Sequence, residues 1–284
     1  MPAALYLVAT PIGNLEDITL RALRVLRDEV AVIACEDTRQ TRKLLEHYEI
    51  RKPLLSYHEH NETTRARELL QALEKGESVA LVSDAGTPMI SDPGYRIATA
   101  AIERGIRVVP VPGASAALAA LTASGLPIDE FRFIGFLPPR ASPRRAALEK
   151  LAHEPVTLVA YESPHRIHET LADLARILGD RPIVLARELT KIHEEFLRGS
   201  AQSILDQLST RESLKGEITL VIGRGNEKPA KVADPADEVL RLQTENGLDR
   251  MEAIKTVARR MGLPKRQVYQ QIAELGSSRQ GKSR

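Results

Sequence analysis

VALVSDAGTPMISDPG, residues 79–94, is the stretch whose reading decides the fold. Val79-Ala80-Leu81-Val82 is a continuous apolar, β-branched run, the pattern of a strand buried on both faces of a parallel sheet. It empties at once into small residues, Ser83 to Pro88, which leave the backbone exposed. Gly86 and Gly94 allow close approach or positive φ, while Pro88 and Pro93 fix the turns. Pro93 also suits the start of the helix expected in GYRIATAAIERG. In an open α/β sheet, ligands bind outside the carboxyl ends of the strands, where this loop lies. An ordinary Gly/Pro-rich βα turn is the alternative.

Outward from this stretch, residues 1 to about 125 alternate strand and helix patterns. Strands are expected at Leu5–Ala9, Val30–Ala34, Leu54–Tyr57 and Ile106–Val111. Helices are expected at Leu20–Arg27, Thr41–Tyr48, Thr63–Glu74 and Ala114–Ala123. A βαβ series of this kind folds as a mostly parallel sheet covered by helices. The first strand opens into Thr10-Pro11-Ile12-Gly13-Asn14, and the strand ending at Val111 opens into Pro112-Gly113-Ala114-Ser115-Ala116. With the central loop, these make three small-residue loops facing one crevice. A nucleotide-like or nucleoside-like ligand fits such a crevice, although neither GxGxxG nor GxxxxGK[ST] occurs.

Ser124-Gly125-Leu126-Pro127 is a breaker, and a second α/β segment follows. Its expected strands are Phe131–Phe136, Val156–Tyr161, Pro182–Ala186 and Glu217–Ile222, with helices at Ser142–Ala152 and Pro164–Leu178. Beyond a polar linker, helical patterns cover Ala236–Glu245, Arg250–Met261 and Lys265–Leu275, before a polar end, GSSRQGKSR, that looks disordered. The expected organisation is an N-terminal α/β domain over 1–124, a second over 125–226 that completes the cleft, and a helical appendage over 235–276. Within that appendage Gly262 and Pro264 separate two helices in a helix-turn-helix pattern. Lys265 and Arg266 stand where the second helix would meet a nucleic acid, with a simple packing bundle as the alternative.

Charge follows the same division. The 284 residues carry a net charge of +2. Residues 228–284 hold twelve Lys/Arg against seven Asp/Glu, net +5, leaving 28 against 31, net −3, for the rest. A basic tail on a mildly acidic body is suited to a polyanion. The N-terminus has neither a positively charged leader pattern nor an apolar run of membrane length, so a cytoplasmic protein is expected. One cysteine, Cys35, excludes an internal disulfide framework and suits a reducing compartment. There is no HExxH, no cysteine cluster and no GxSxG, so neither a metal nor a serine nucleophile is expected.

Charged residues stand at three strand ends: Glu36-Asp37-Thr38-Arg39, Tyr161-Glu162-Ser163-Pro164-His165-Arg166, and Arg187-Glu188-Leu189-Thr190-Lys191. Mixed acids and bases there suit a polar substrate, with Arg or Lys on phosphates and a carboxylate or Lys handling a proton. By position, Asp37 and Lys191 are the candidate catalytic groups, and Arg39, Arg166 and Arg187 are candidates for holding substrate. Asp37 capping the following helix, and Arg187 pairing with Glu188, are the alternatives.

LYLVATPIGNLEDIT, ACEDTR, VSDAGTPMISDPG, VPGASA, YESPHR and RELTKIHEE, taken in order, resemble the motifs of the cytidine 2′-O-methyltransferases of small-subunit ribosomal RNA, a branch of the tetrapyrrole methylase fold family. The resemblance spans essentially the whole chain. It implies two α/β domains of tetrapyrrole-methylase type with a helix-turn-helix-like appendage, S-adenosylmethionine as cofactor, and a homodimer. It further implies methylation of a cytidine ribose in small ribosomal subunit RNA, without metal or membrane. Pro11 matches the proline of the wider fold's GxGPG loop, although Ala9-Thr10 replaces its glycines, and Gly86-Thr87-Pro88 stands where that fold usually has Gly-Asp-Pro. Ala85, Gly86, Thr87, Ile90, Ser115 and Ala116 match cofactor-contacting positions, with Glu162 and Leu189 as contacts from the second domain. Methylation of a tetrapyrrole carbon, and a non-enzymatic nucleic-acid-binding regulator, are the competing readings.

Overall fold

The structure, a computed structural model, describes residues 2–211, 213–225, 235–270 and 272. Two compact units divide the chain, residues 1–225 and 226–284.

The first unit begins with a five-stranded, all-parallel sheet built from β1 (Ala4–Val8), β2 (Val32–Cys35), β3 (Leu54–Ser56), β4 (Val79–Val82) and β5 (Arg107–Val111), in the order β3-β2-β4-β1-β5. The helices between them are α1 (Leu20–Arg24), which continues into a π-helical turn over Val25–Glu29, then α2 (Thr38–His47), α3 (Glu62–Glu74) and α4 (Tyr95–Glu103). All four residues of β4 are buried, as a strand covered on both faces must be. Pro110 interrupts the backbone donors of β5 without cost to the sheet, because β5 is an edge strand paired only with β1. Connections from β1 and from β4 leave in opposite directions across the sheet. That reversal opens a crevice at their carboxyl ends, beneath the 83–94 loop.

After α5 (Ala116–Thr122) comes a second five-stranded sheet of β6 (Phe131–Phe136), β7 (Thr157–Glu162), β8 (Ile183–Arg187), β9 (Glu195–Gly199) and β10 (Ile218–Ile222), ordered β6-β7-β10-β8-β9. Only β6 and β7 run parallel; the other pairings are antiparallel. Helices α6 (Ala141–Leu151), α7 (Ile167–Leu178) and α8 (Ala201–Ser209) cover one face through Leu148, Leu171, Leu174 and Ile204. The other face receives α5, whose Ala117, Ala120 and Leu121 pack on Val159, Val184 and Val221. Because this helix precedes the breaker at 124–127 yet lies on the second sheet, the packing boundary between the two sheets does not fall at that breaker.

In the second unit α9 (Pro235–Asn246) and α10 (Arg250–Met261) pack through Val239, Leu242, Ile254 and Val257. Asp249 caps α10, accepting from the amides of Met251 and Glu252 at 2.7 and 2.9 Å. Gly262 ends the helix in the left-handed conformation, and residues 265–270 form a third helical stretch that contributes Val268 to the core. The polar linker, the end of the expected 265–275 helix and the GSSRQGKSR terminus fall wholly or in large part outside the described residues. Among the described residues no helix is long and apolar enough to cross a membrane.

Candidate functional site

The three small-residue loops are laced together. Thr10 and Gly86 exchange backbone hydrogen bonds of 2.9 and 3.0 Å. The Thr10 hydroxyl donates to the Ser83 carbonyl at 2.9 Å, and that of Thr87 to the Ala114 carbonyl at 3.2 Å. Both polar groups of the Gly86 backbone are therefore used by Thr10. What Gly86 contributes is shape: its φ is +84°, and a Cβ there would lie 3.2 Å from Ile12 Cγ2. Met89 and Ser91 in the same loop also have positive φ, as do Glu188 and Thr190 after β8. Non-glycine residues held there carry strain of about 1–3 kcal/mol each, and such strain gathers at ligand sites.

Against these loops lies a cavity of about 370 Å³, within the size range of small-molecule sites. Of the expected cofactor contacts, Ala85, Gly86, Thr87, Ile90, Ser115, Ala116 and Glu162 line it, whereas Pro11 and Leu189 do not. Ser115 caps α5, accepting from the Leu118 amide at 3.5 Å. Asp84 and Asp92 line the cavity as well, and burial pushes both carboxyls above the usual range, each helped by a neighbouring carboxylate. Glu36 is raised for the same reasons. Asp92 also accepts a short hydrogen bond from the Ser83 hydroxyl.

Asp37 is differently placed. Its carboxylate takes Arg39 Nε and Nη2 at 3.1 and 2.8 Å and caps α2 through the Arg39 amide at 2.8 Å. The Arg39 side chain, then its amide, hold the carboxyl down to about 2. The Asp37 amide donates to Asp84 Oδ1 at 3.0 Å, so Asp37 orients the cavity carboxylate. A group so acidic is a feeble proton acceptor; Asp84, raised and lining the cavity, is the better one.

From the second sheet come large side chains. Glu162 has a side chain buried to 0% exposure, with Arg166 Nη2 at 2.6 Å, the Thr170 hydroxyl at 2.7 Å and the Ser163 amide at 2.7 Å. Its charge is compensated internally, so it braces the wall. Tyr161 and Phe136 line the same cavity beside it. Lys191 lies in an open groove of about 670 Å³ next to Gly13 and Asn14, outside the main cavity. It binds Glu188 Oε1 at 2.7 Å and Glu217 Oε2 at 3.1 Å, and Glu217 lines the main cavity. Against the opposing effect of partial burial, these two carboxylates raise the lysine's pKa, so it is a cation at neutral pH. Arg187 pairs with Glu195 at 3.1 Å, and not with Glu188. Arg39 and Arg166 are likewise ion-paired, while Lys265 and Arg266 are exposed at the start of the third tail helix. Among the described residues no group of three or more His, Cys, Asp or Glu could hold a metal ion.

Several cavity residues escape a strand-by-strand reading. Gly216 to Thr219 line it because β10 runs antiparallel and brings its amino end to this edge, which no local pattern announces. Asp84 and Asp92 were in plain view inside the 79–94 stretch, and their convergence on one cavity wall is the missing signal.

Residues 4–205 match the family described as tetrapyrrole (corrin/porphyrin) methylases. The chain is 50% identical over 271 residues, 93% of each chain, to a protein of Halalkalibacterium halodurans named ribosomal RNA small subunit methyltransferase I. A protein of the same name from Micromonospora olivasterospora is 48% identical over 98% of this chain and 88% of its own. Among solved structures, a uroporphyrin-III C-methyl transferase from Thermus thermophilus complexed with S-adenyl homocysteine is similar in fold, with a TM-score of 0.54 and 21% identity. The match covers 77% of this chain and 97% of that one.

Proposed function

This chain belongs to the tetrapyrrole methylase family and, within it, to the ribosomal RNA small subunit methyltransferase I proteins, and on that premise we propose that it methylates the ribose 2′-hydroxyl of a cytidine in small-subunit ribosomal RNA, using S-adenosylmethionine. The observation that carries the reading is the 50% identity sustained over 93% of both chains. The cavity fits the cofactor on its own terms. Asp84 and Asp92 complement a molecule bearing sulfonium and ammonium charges, while Ile12, Ile90 and the Gly86 turn provide an apolar, close-fitting surface for a nucleoside.

S-adenosylmethionine, when bound, would supply an electrophilic methyl carbon, which passes to the acceptor oxygen as its bond to sulfur breaks and S-adenosylhomocysteine leaves as a neutral thioether. The chain's own residues then have two tasks. Positioning the hydroxyl in line is the first, and it accounts for much of such a reaction's acceleration. Removing its proton is the second, which we assign to Asp84, oriented by the Asp37 amide. Lys191, protonated and tethered through Glu217 to the cavity, is the cation that steadies developing negative charge or a substrate phosphate. The tail, residues 235–276, is the RNA-binding module through Lys265 and Arg266, and the α/β halves 1–124 and 125–226 carry the methyl transfer. Arg39, Arg166 and Arg187 are pre-ordered by their carboxylate partners as RNA contacts. Leu189 packs with Ile12, Ala116 and Tyr161 behind the cavity lining, and neither it nor Pro11 is assigned a contact with the cofactor. The protein acts as a cytoplasmic homodimer, which light scattering tests against the 31.3 kDa chain mass.

Incubating the full chain with methyl-labelled cofactor and, separately, small ribosomal subunits, naked RNA and uroporphyrinogen tests the reading. Label in 2′-O-methylcytidine after nuclease digestion is expected. Transfer to the tetrapyrrole alone, or RNA binding without transfer, overturns it.

A further inference from the structure

Strand β6 carries an irregularity whose effect is to aim one side chain. Its ladder with β7 pairs Phe131 with Thr157, Arg132 with Leu158 and Phe133 with Val159, and then jumps to Phe136 with Tyr161. β6 uses three steps where β7 uses two, so one extra residue is accommodated. Gly135 absorbs it at φ +64°, a left-handed conformation that other residues adopt only under strain. In an unbroken strand Phe136 would share a face with Ile134, which packs into the core under α6 and α7. The bulge moves it to the face of Phe133 and Tyr161. The rings meet edge to face there, Phe133 with Tyr161 at 5.0 Å and Phe136 with Tyr161 at 5.6 Å.

The result is a large aromatic ring that lines the cavity and is 56% exposed at its mouth, backed by a second ring. Unlike an exposed apolar residue elsewhere on the surface, this ring faces a cavity in which a ligand can cover it. A flat ring on a cavity rim is the chemistry that takes an unstacked base. The close-fitting, small-residue surface around Gly86 lies on the other sheet's loops, so the cavity presents two unlike walls.

We propose that Phe136, aimed by the Gly135 bulge and backed by Tyr161, is the stacking surface for the nucleobase of the nucleotide being methylated. The inference rests on the RNA-methylating function above and adds to it the residue that seats the target base.

The test uses the full chain carrying Phe136→Ala, Phe136→Leu or Phe136→Tyr. Calorimetry measures S-adenosylmethionine affinity, and single-turnover methylation is followed against the concentration of RNA substrate. The expected result is a roughly tenfold or greater rise in half-saturating RNA for the alanine and leucine variants, the range of one lost base stack, with tyrosine near the unaltered protein. Cofactor affinity and thermal midpoint stay unchanged in all three. Leucine behaving like phenylalanine reduces the ring to apolar cover and overturns stacking. Loss of cofactor affinity with an unchanged RNA dependence assigns the ring to the cofactor instead and overturns the proposal. An unaltered chain that methylates no RNA removes the functional premise, a failure visible before any variant is made.

Discussion

The two sheets reach the same cleft by opposite means. In the parallel sheet all five carboxyl ends lie at one edge, so that edge is built from loops, and β1, β4 and β5 supply small residues, backbone bridges and two aspartates that line the cavity. In the mixed sheet β9 and β10 run against β8, so chain ends alternate along the edge and the wall consists of side chains: Phe136, Tyr161, Glu162, Glu217. Backbone is exact in shape but carries no variety; side chains carry charge and flat surface but need bracing. The second half accordingly spends buried ion pairs on rigidity, and the first half spends strained backbone.

Removing one brace should break the second half hardest. Arg144 is 1% exposed, with Nε on Asp173 Oδ2 at 2.9 Å and Nη2 on Glu169 at 3.2 Å. Arg144→Met removes the buried one of Asp173's arginine partners and leaves Arg145 at 2.7 Å and Arg176 at 3.6 Å, and a loss of about 3 kcal/mol, the lower end for breaking a buried pair, is expected by chemical denaturation. A loss under about 1 kcal/mol would mean that packing alone holds α6 on α7.

Next in size is Asp84→Asn, which should lower the single-turnover rate on the order of a hundredfold at saturating substrate, the lower end for a general base. The sign on stability is opposite. A carboxyl raised by burial binds its proton more tightly folded than unfolded, so its ionisation destabilises the fold above that raised pKa, and the penalty vanishes as pH falls. Asp84→Asn should therefore raise the thermal midpoint at neutral pH. A variant that is both slower and less stable would point to disrupted structure.

Gly86→Val probes the first half's reliance on backbone. Its positive φ and the 3.2 Å approach to Ile12 predict a stability loss of roughly 1–3 kcal/mol together with weakened cofactor binding. Calorimetric titration of the folded variant decides, since unchanged affinity would reduce the loop to a turn.

Smaller still is the effect of Glu195→Gln. Hydrogen bonding from Arg211, and then Arg187, lowers this carboxyl from 4.5 to about 2. Its contribution is fully present above pH 4.5 and is lost as pH falls towards 2, so the variant should flatten that part of the acid-denaturation profile. Asp37→Asn is expected to do least: the amide oxygen still caps α2, and the rate should stay within about twofold. A hundredfold drop would return the proton-accepting role to Asp37.

Local pattern determined a great deal. The apolar run of 79–82 places β4 where it stands, Asp37 marks the start of α2, and Gly262 with Pro264 divides the tail helices. These features depend on neighbours within a few residues, and the three glycine- and proline-punctuated loops were legible for the same reason. β9 and α8 were not. Glu195-Phe196-Leu197-Arg198-Gly199 is a short edge strand with no fully buried position, so no alternation declares it. Only tertiary structure decided the site's chemistry. Partners separate Asp84, raised by desolvation at the cavity with the Asp37 charge nearby, from Asp37, lowered by Arg39, though both are aspartates at strand ends. Strand direction brings Glu217 and Thr219 to the cavity, and one bulge turns Phe136 from core to rim. Protonation, direction and facing all arise from groups distant in sequence, and a residue's type alone does not record what will surround it.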